Sequence, residues 1–188
     1  MFQPDADFPC MRLLEANWQE IQAECLALPG QSFAPWVQRE MYGTGWDVFG
    51  LIAWGHRIPT ALRACPRTAA VLSQIPEVQT AGFSRLAAGA AITPHHGWVT
   101  NVYRLHLGLM VPPECALRVG QETRSWVAGK CFAFDDTREH EAWNRSDRDR
   151  YVLLLDVLRP GCRPSDDSAM PLDVWQMLAE TLRTDGDR

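Results

Sequence analysis

From Gly82 to Val157 the chain breaks into short runs of β-branched, aromatic and aliphatic residues. The runs are Phe83–Leu86, Val99–Val111, Ala116–Val119, Thr123–Val127, Cys131–Phe134 and Tyr151–Val157. Turn residues lie between them at Pro112-Pro113, Gly120-Gln121 and Gly129-Lys130. Several short strands at this spacing suggest a barrel or a sandwich. The preceding segment is of a different texture. Leu14, Trp18, Ile21, Cys25 and Leu28 recur at spacings of three and four, which predicts a helix over Met11–Leu28 that Pro29-Gly30 stops. A glycine-bearing loop at Tyr42–Trp46 precedes an expected strand over Asp47–Trp54. A second helix is expected from Pro66, a residue suited to a first turn, through Ile75, with Pro76 ending it. After Arg159-Pro160-Gly161 a polar linker leads to a last expected helix near Leu172–Leu182.

A chain of 188 residues makes one sizeable core, where two domains would each be undersized. The expectation is a single domain over 1–188: a helical lead-in to about 80, a β core over about 81–160 and a C-terminal helix over about 170–183. A net charge of −5, with no basic cluster interleaved with aromatics, gives no footprint for nucleic acid or an anionic membrane. The N-terminus has no positive region followed by an apolar one, and no apolar run reaches the about 18 residues of a membrane helix. The six cysteines include no C-x-x-C pair and are too sparse for a disulfide scaffold, so they read as reduced thiols of a cytoplasmic protein.

Polar residues interrupt the strand faces in a regular way. In Val102–Leu109, Arg104, His106 and Gly108 share one face, opposite Tyr103, Leu105, Leu107 and Leu109. In Arg150–Val157, Arg150 and Asp156 share a face with Val152 and Leu154. One reading is a half-solvated sheet with its arginines on the wet side. The other is a lumen whose buried arginines await a carboxylate or phosphate. Alternation alone does not choose.

Three of the five histidines, His95, His106 and His140, read as lying in or just before the expected strands of the barrel. Their spacing matches no local zinc motif, since there is no H-E-x-x-H and no cysteine pair. Two imidazoles with open positions beside them would suit non-haem Fe(II), which needs room for O₂.

Taken together, Pro94-His95-His96-Gly97, Asn101 through Leu109, Glu122 through Trp126, Gly129-Lys130, Phe134-Asp135-Asp136, Glu139 through Trp143, Arg150 and Asp156-Val157 resemble the aspartyl/asparaginyl β-hydroxylase family. The resemblance covers roughly residues 40–160, with weaker similarity back to Leu14–Trp18. It implies a mainly β, double-stranded β-helix (jelly-roll, cupin-like) fold with flanking helices. It also implies Fe(II), 2-oxoglutarate as co-substrate and O₂. By position, His95 and His140 correspond to the iron ligands, and Arg150 to the arginine that pairs with the 2-oxoglutarate carboxylate. Arg104, His106 and Ser84 correspond to further co-substrate contacts, and Trp46 to a tryptophan packed at that pocket.

Many such sites carry an acid two residues after the first histidine. Here that residue is Gly97, which cannot ligate, so one coordination position is left to water; iron halogenases fill the same vacancy with chloride. His96 is expected at the surface or behind the ligands. The resemblance implies hydroxylation of an Asp or Asn residue, in a peptide or as a free or carrier-bound amino acid. The alternatives are halogenation at the Gly97 vacancy and a non-catalytic cupin-like binding module.

Overall fold

The computed structural model describes residues 1–164 and Gln176, and the helix expected over 172–182 otherwise lies outside the described residues. Twelve strands form among them: β1 (Phe2–Gln3), β2 (Ala34–Pro35), β3 (Trp46–Ala53), β4 (His56–Arg57), β5 (Val78–Leu86), β6 (Ala91–His95), β7 (Val102–Met110), β8 (Cys115–Val119), β9 (Glu122–Arg124), β10 (Cys131–Phe134), β11 (His140–Asn144) and β12 (Arg150–Leu158). Four α-helices accompany them: α1 (Cys10–Ala16), α2 (Trp18–Ala27), α3 (Pro59–Ala64) and α4 (Pro66–Leu72).

The strands make two antiparallel sheets. The larger runs β1-β10-β7-β12-β5-β3-β2, with β4 beside β3; the smaller runs β6-β11-β8-β9. From β5 onward the chain alternates between them, with β5, β7, β10 and β12 in one and β6, β8, β9 and β11 in the other. This winding makes the fold a double-stranded β-helix, as expected. Each face of the large sheet has its own core. Trp46, Leu86, Phe134 and Val152 meet Ile92, Leu117 and Ala142 of the small sheet. On the opposite face Leu105, Leu107, Leu153 and Leu155 pack against Leu14, Ile21, Cys25 and Leu72 of the helices. The period-two pattern in β7 and β12 thus separates a helix-covered face from an inner face.

Three local expectations change. The helix over Met11–Leu28 is two helices, broken at Asn17, whose side-chain amide donates to the Leu13 carbonyl at 2.7 Å. An asparagine that satisfies the backbone through its own side chain competes with helix continuation. The apolar face survives the break: Leu14, Ile21 and Cys25 are fully buried. The helix opening at Pro66 ends at Leu72, not Ile75, and Pro59 opens a further helix that the sequence pattern did not suggest. Finally, β6 and β11 were not among the expected strands. Pro94 weakens the signal of β6 and is tolerated because β6 is an edge strand. In β11 the alternation His140-Glu141-Ala142-Trp143-Asn144 buries two polar residues and only one small apolar residue, so hydropathy does not show it.

The two helical segments are held together by a carboxylate. The residue before α4 makes no side-chain cap. Glu24 of α2 does so instead: its oxygens accept from the backbone N–H of Arg67 at 2.7 Å and of Thr68 at 2.8 Å, and from the Thr68 hydroxyl at 2.7 Å. Charged acceptors at a helix N-terminus are favourable. Glu24→Ala is expected to lower unfolding free energy by about 1–3 kcal/mol in urea denaturation. A change within error would show that α4 does not depend on this cap.

Candidate active site

The two missed strands carry the central pair. His95 ends β6 and His140 begins β11, and the two are register partners across the small sheet. Their ring centroids lie 4.1 Å apart. Each ring is oriented by a carbonyl two residues earlier: His95 Nδ1 donates to Thr93 O at 2.7 Å, and His140 Nδ1 to Arg138 O at 2.9 Å. A carbonyl oxygen can only accept, so Nδ1 carries the proton and Nε2 presents its lone pair. That is the tautomer a metal requires, with the orienting hydrogen bond already made. Burial, reinforced for His140 by its neighbour His95, lowers both pKa values, that of His140 to about 3. Both imidazoles are therefore neutral near pH 7.

His106, in the middle of β7, has the opposite tautomer. Trp126 Nε1 donates to its Nδ1 at 3.1 Å, and an indole N–H is a donor only. The proton therefore sits on Nε2, which is buried and has no partner. Burial, with Arg150 and Arg104 nearby, pushes the His106 pKa well down, so this is a neutral donor.

Arg150 opens β12 and is 2% exposed. Its Nε and Nη1 are buried without an acceptor. Its guanidinium carbon lies 4.6 Å from the Trp126 ring centroid, a cation–π contact in place of a carboxylate. Burial lowers its pKa to about 10, which still leaves it charged near neutrality. Two orphaned donors on adjacent strands, one cationic and one neutral, fit an anionic oxygen ligand.

Ser84 and Trp46 stand on the same inner face. Trp46 Nε1 donates to Ser84 Oγ at 3.0 Å, and Ser84 is the register partner of Val152, two residues from Arg150. Arg104 is placed differently from the expectation that it and His106 reach one anion. Its Nε and Nη2 donate to the two oxygens of Asp156 at 2.8 and 2.9 Å, and Nη1 lies 3.2 Å from Asp136 Oδ2. Its charge is met by two carboxylates of the chain itself. His96 is exposed, its Nδ1 donating to Thr137 O at 3.0 Å.

Neither the alternation nor the motif spacing suggests a role for Asp136. It is 1% exposed, Oδ2 faces Arg104, and Oδ1 has no partner. Burial raises its pKa, against the pull of Arg104. Gly97 N–H donates to the Asp136 carbonyl at 2.7 Å, and a Cβ on Gly97 would overlap the Asp136 carboxylate. The space where an acid at position 97 would begin therefore belongs to Asp136. Among the described residues no group of three or more histidines, cysteines or carboxylates could hold a metal. The alternation is equally silent on Trp126, whose indole fixes the His106 tautomer and covers Arg150. A buried tryptophan needing an acceptor was the available signal.

A profile described as Aspartyl/Asparaginyl beta-hydroxylase matches residues 15–160. The chain belongs to the aspartyl/asparaginyl β-hydroxylase family. An ornithine lipid ester-linked acyl 2-hydroxylase of Rhizobium tropici is 37% identical over 166 residues, covering 82% of this chain and 59% of that protein. The aspartyl/asparaginyl beta-hydroxylase of Homo sapiens is 32% identical over 172 residues, covering 86% of this chain and 22% of that protein. The chain thus spans about three fifths of the Rhizobium relative and less than a quarter of the human one. A Pseudomonas putida prolyl-4-hydroxylase has the same fold, with a TM-score of 0.53 at 18% identity over 86% of this chain and 92% of that one. Within this β-hydroxylase family framework His95, His140, His106, Arg150, Ser84 and Trp46 converge between the sheets. Among the described residues no helix is long and apolar enough to cross a membrane.

The neutral histidines carry a pH signature. An unfolded imidazole binds a proton below about pH 6.5, whereas folded His140 does so only near 3. Between these values the unfolded state binds more protons, so stability present above about pH 6.5 is lost as pH falls. In the metal-free protein, His140→Gln is expected to flatten the fall of Tm between about pH 6.5 and 4.5, leaving the shares due to His95 and His106, which are shifted the same way. Parallel curves would show that His140 is not held neutral.

Proposed function

We propose that the chain is an Fe(II)- and 2-oxoglutarate-dependent hydroxylase, with His95 and His140 as metal ligands and Arg150 as the anchor of the co-substrate's far carboxylate. The observation that carries this reading is the buried, unpartnered guanidinium of Arg150 on the inner face of the large sheet, with a preset histidine pair on the small sheet. Bound iron would supply the redox step in which 2-oxoglutarate and O₂ become succinate and CO₂ and a substrate C–H bond gains oxygen.

The chain's own residues have separable tasks. Thr93 O and Arg138 O fix the ligand tautomers. Arg150 and His106 Nε2 offer a charged and a neutral donor to one carboxylate, and Trp126 holds both in place. Ser84 Oγ accepts from Trp46, so its own proton is free to donate. Asp136 Oδ1 is an unpaired acceptor on the side that Gly97 leaves bare, where it can hold a water. The same carboxylate disfavours a halide there, which supports hydroxylation over halogenation.

The substrate side is a cavity of about 530 Å³ reaching His95, within the range of small-molecule sites. Among the described residues lining it Arg104 is the one arginine or lysine, and Asp136 and Asp156 already hold it. A substrate carboxylate would find no free cation. This favours an apolar substrate, in keeping with the acyl 2-hydroxylase name of the Rhizobium relative. Asp or Asn stays as the second reading, favoured by the name of the human relative.

Succinate release with Fe(II), 2-oxoglutarate and O₂, and mass spectrometry of acyl and Asp- or Asn-containing substrates, test both levels. An acyl product one oxygen heavier is expected. Oxygen gain on Asp or Asn alone would reverse the substrate choice, and iron retained by both His95→Ala and His140→Ala would overturn the metal assignment. Arg150 gives a sharper test, because an unpaired buried charge costs stability. Arg150→Met is expected to raise the unfolding free energy of the ligand-free protein by about 1–4 kcal/mol while abolishing the Tm rise produced by 2-oxoglutarate. A destabilised variant that still responds to 2-oxoglutarate would make Arg150 a structural residue.

A further inference from the structure

The cavity runs from His95 along the inner face of the large sheet to α3. Its floor has an unusual bareness. Gly50 of β3 is the register partner of Gly82 of β5, and Gly82 in turn faces Leu154 of β12. Two adjacent strands therefore present no side chain at this level. The far wall is Ile58 with Ala61 and Ala64 of α3.

The two glycines are bare for different reasons. At Gly82 a Cβ would come within 2.8 Å of the Phe49 carbonyl oxygen, a backbone approach that excludes any side chain. At Gly50 the one atom within 4 Å is the Ile58 terminal methyl, at 3.2 Å, which can give way. Neither backbone conformation nor rigid packing demands glycine at position 50. What its missing side chain leaves is cavity.

The chemistry of that space selects its occupant. The floor is the face of a paired sheet, with β3 paired to β5 and β5 to β12 at this level, and the register of β3 shifts just after Gly50. Arg104 is already held by Asp156 and Asp136. Over the bare floor the nearby lining is Ile58, Ala61, Ala64 and Leu154, so an aliphatic occupant gains by burial where a polar one loses its water. The rim has the same character. Trp54 and Trp98 both line the cavity and stack with centroids 5.9 Å apart. Trp54 reaches that position from a turn with φ +48°, a left-handed conformation that glycine adopts without strain and that a bulky residue does not.

We propose that the space above Gly50 receives the distal part of an unbranched acyl chain, so that Gly50 sets the longest chain the site accepts. This rests on the hydroxylase reading for its meaning, but chain binding can be measured without metal. The probes are hexanoyl and dodecanoyl glycine amides brominated at the terminal carbon, which quench nearby tryptophan fluorescence. In the metal-free wild type the longer chain is expected to bind at least about 100-fold more tightly, as the burial of several extra methylenes requires. Gly50→Val is expected to weaken dodecanoyl binding about tenfold or more while leaving hexanoyl binding within about twofold. Ala61→Phe, which fills the same space from α3, is expected to do likewise, so a folding defect in one variant does not decide the matter. A wild type without length preference, or two folded variants that bind the longer probe as the wild type does, would overturn the proposal. Iron retention and succinate release by the same wild-type preparation separate that failure from failure of the hydroxylase reading.

Discussion

Arg150 carries its charge at the start of β12, beneath Trp126, with two nitrogens that meet no acceptor. A buried ion is tolerated when it is paired, bonded throughout, or awaiting a ligand. The neighbouring strands show which applies. His106 offers a second unpartnered donor from β7, and Ser84 a hydroxyl from β5. The sheet register holds all three on one face, so the inner face of the large sheet gathers donors suited to an anionic ligand.

The small sheet supplies the complementary half. Its His95–His140 pair presents lone pairs where His106 presents a proton, and the difference comes from the hydrogen-bond partner of each ring. Backbone carbonyls fix one tautomer and an indole fixes the other. The core of Trp46, Leu86, Phe134 and Val152 against Ile92, Leu117 and Ala142 holds the two sheets together. Asp136 and Gly97 complete the division: the Asp136 carboxylate occupies the space where a side chain at position 97 would begin.

How much of this was legible in the sequence depends on the length scale of the signal. Period-two alternation is a property of each strand alone, so the shared faces of Arg104 with His106 and of Arg150 with Asp156 could be read directly. The strands that carry His95 and His140 could not, because Pro94 and the buried polar residues of β11 remove the hydropathy signal where the site needs polar atoms. The motif resemblance located both histidines all the same. Pairing partners between distant strands were out of reach: nothing local shows that Arg104 is held by Asp156 and Asp136 while Arg150 is held by none. Both arginines look alike in sequence and differ entirely in the fold. The break at Asn17 is a smaller case, in which one side-chain hydrogen bond divides a helix whose apolar face is continuous.

The central claim is that one histidine pair and one arginine assemble a metal and a dicarboxylate at a single centre. Anaerobic titration of the protein with Fe(II) and then 2-oxoglutarate, followed by visible absorption, tests it most directly. Chelation of the metal by the 2-oxo acid is expected to give a metal-to-ligand charge-transfer band in the wild type that requires both additions. The band is expected to be absent from the His95→Ala, His140→Ala double variant. No band in the wild type, or a band that persists in the double variant, would contradict the account.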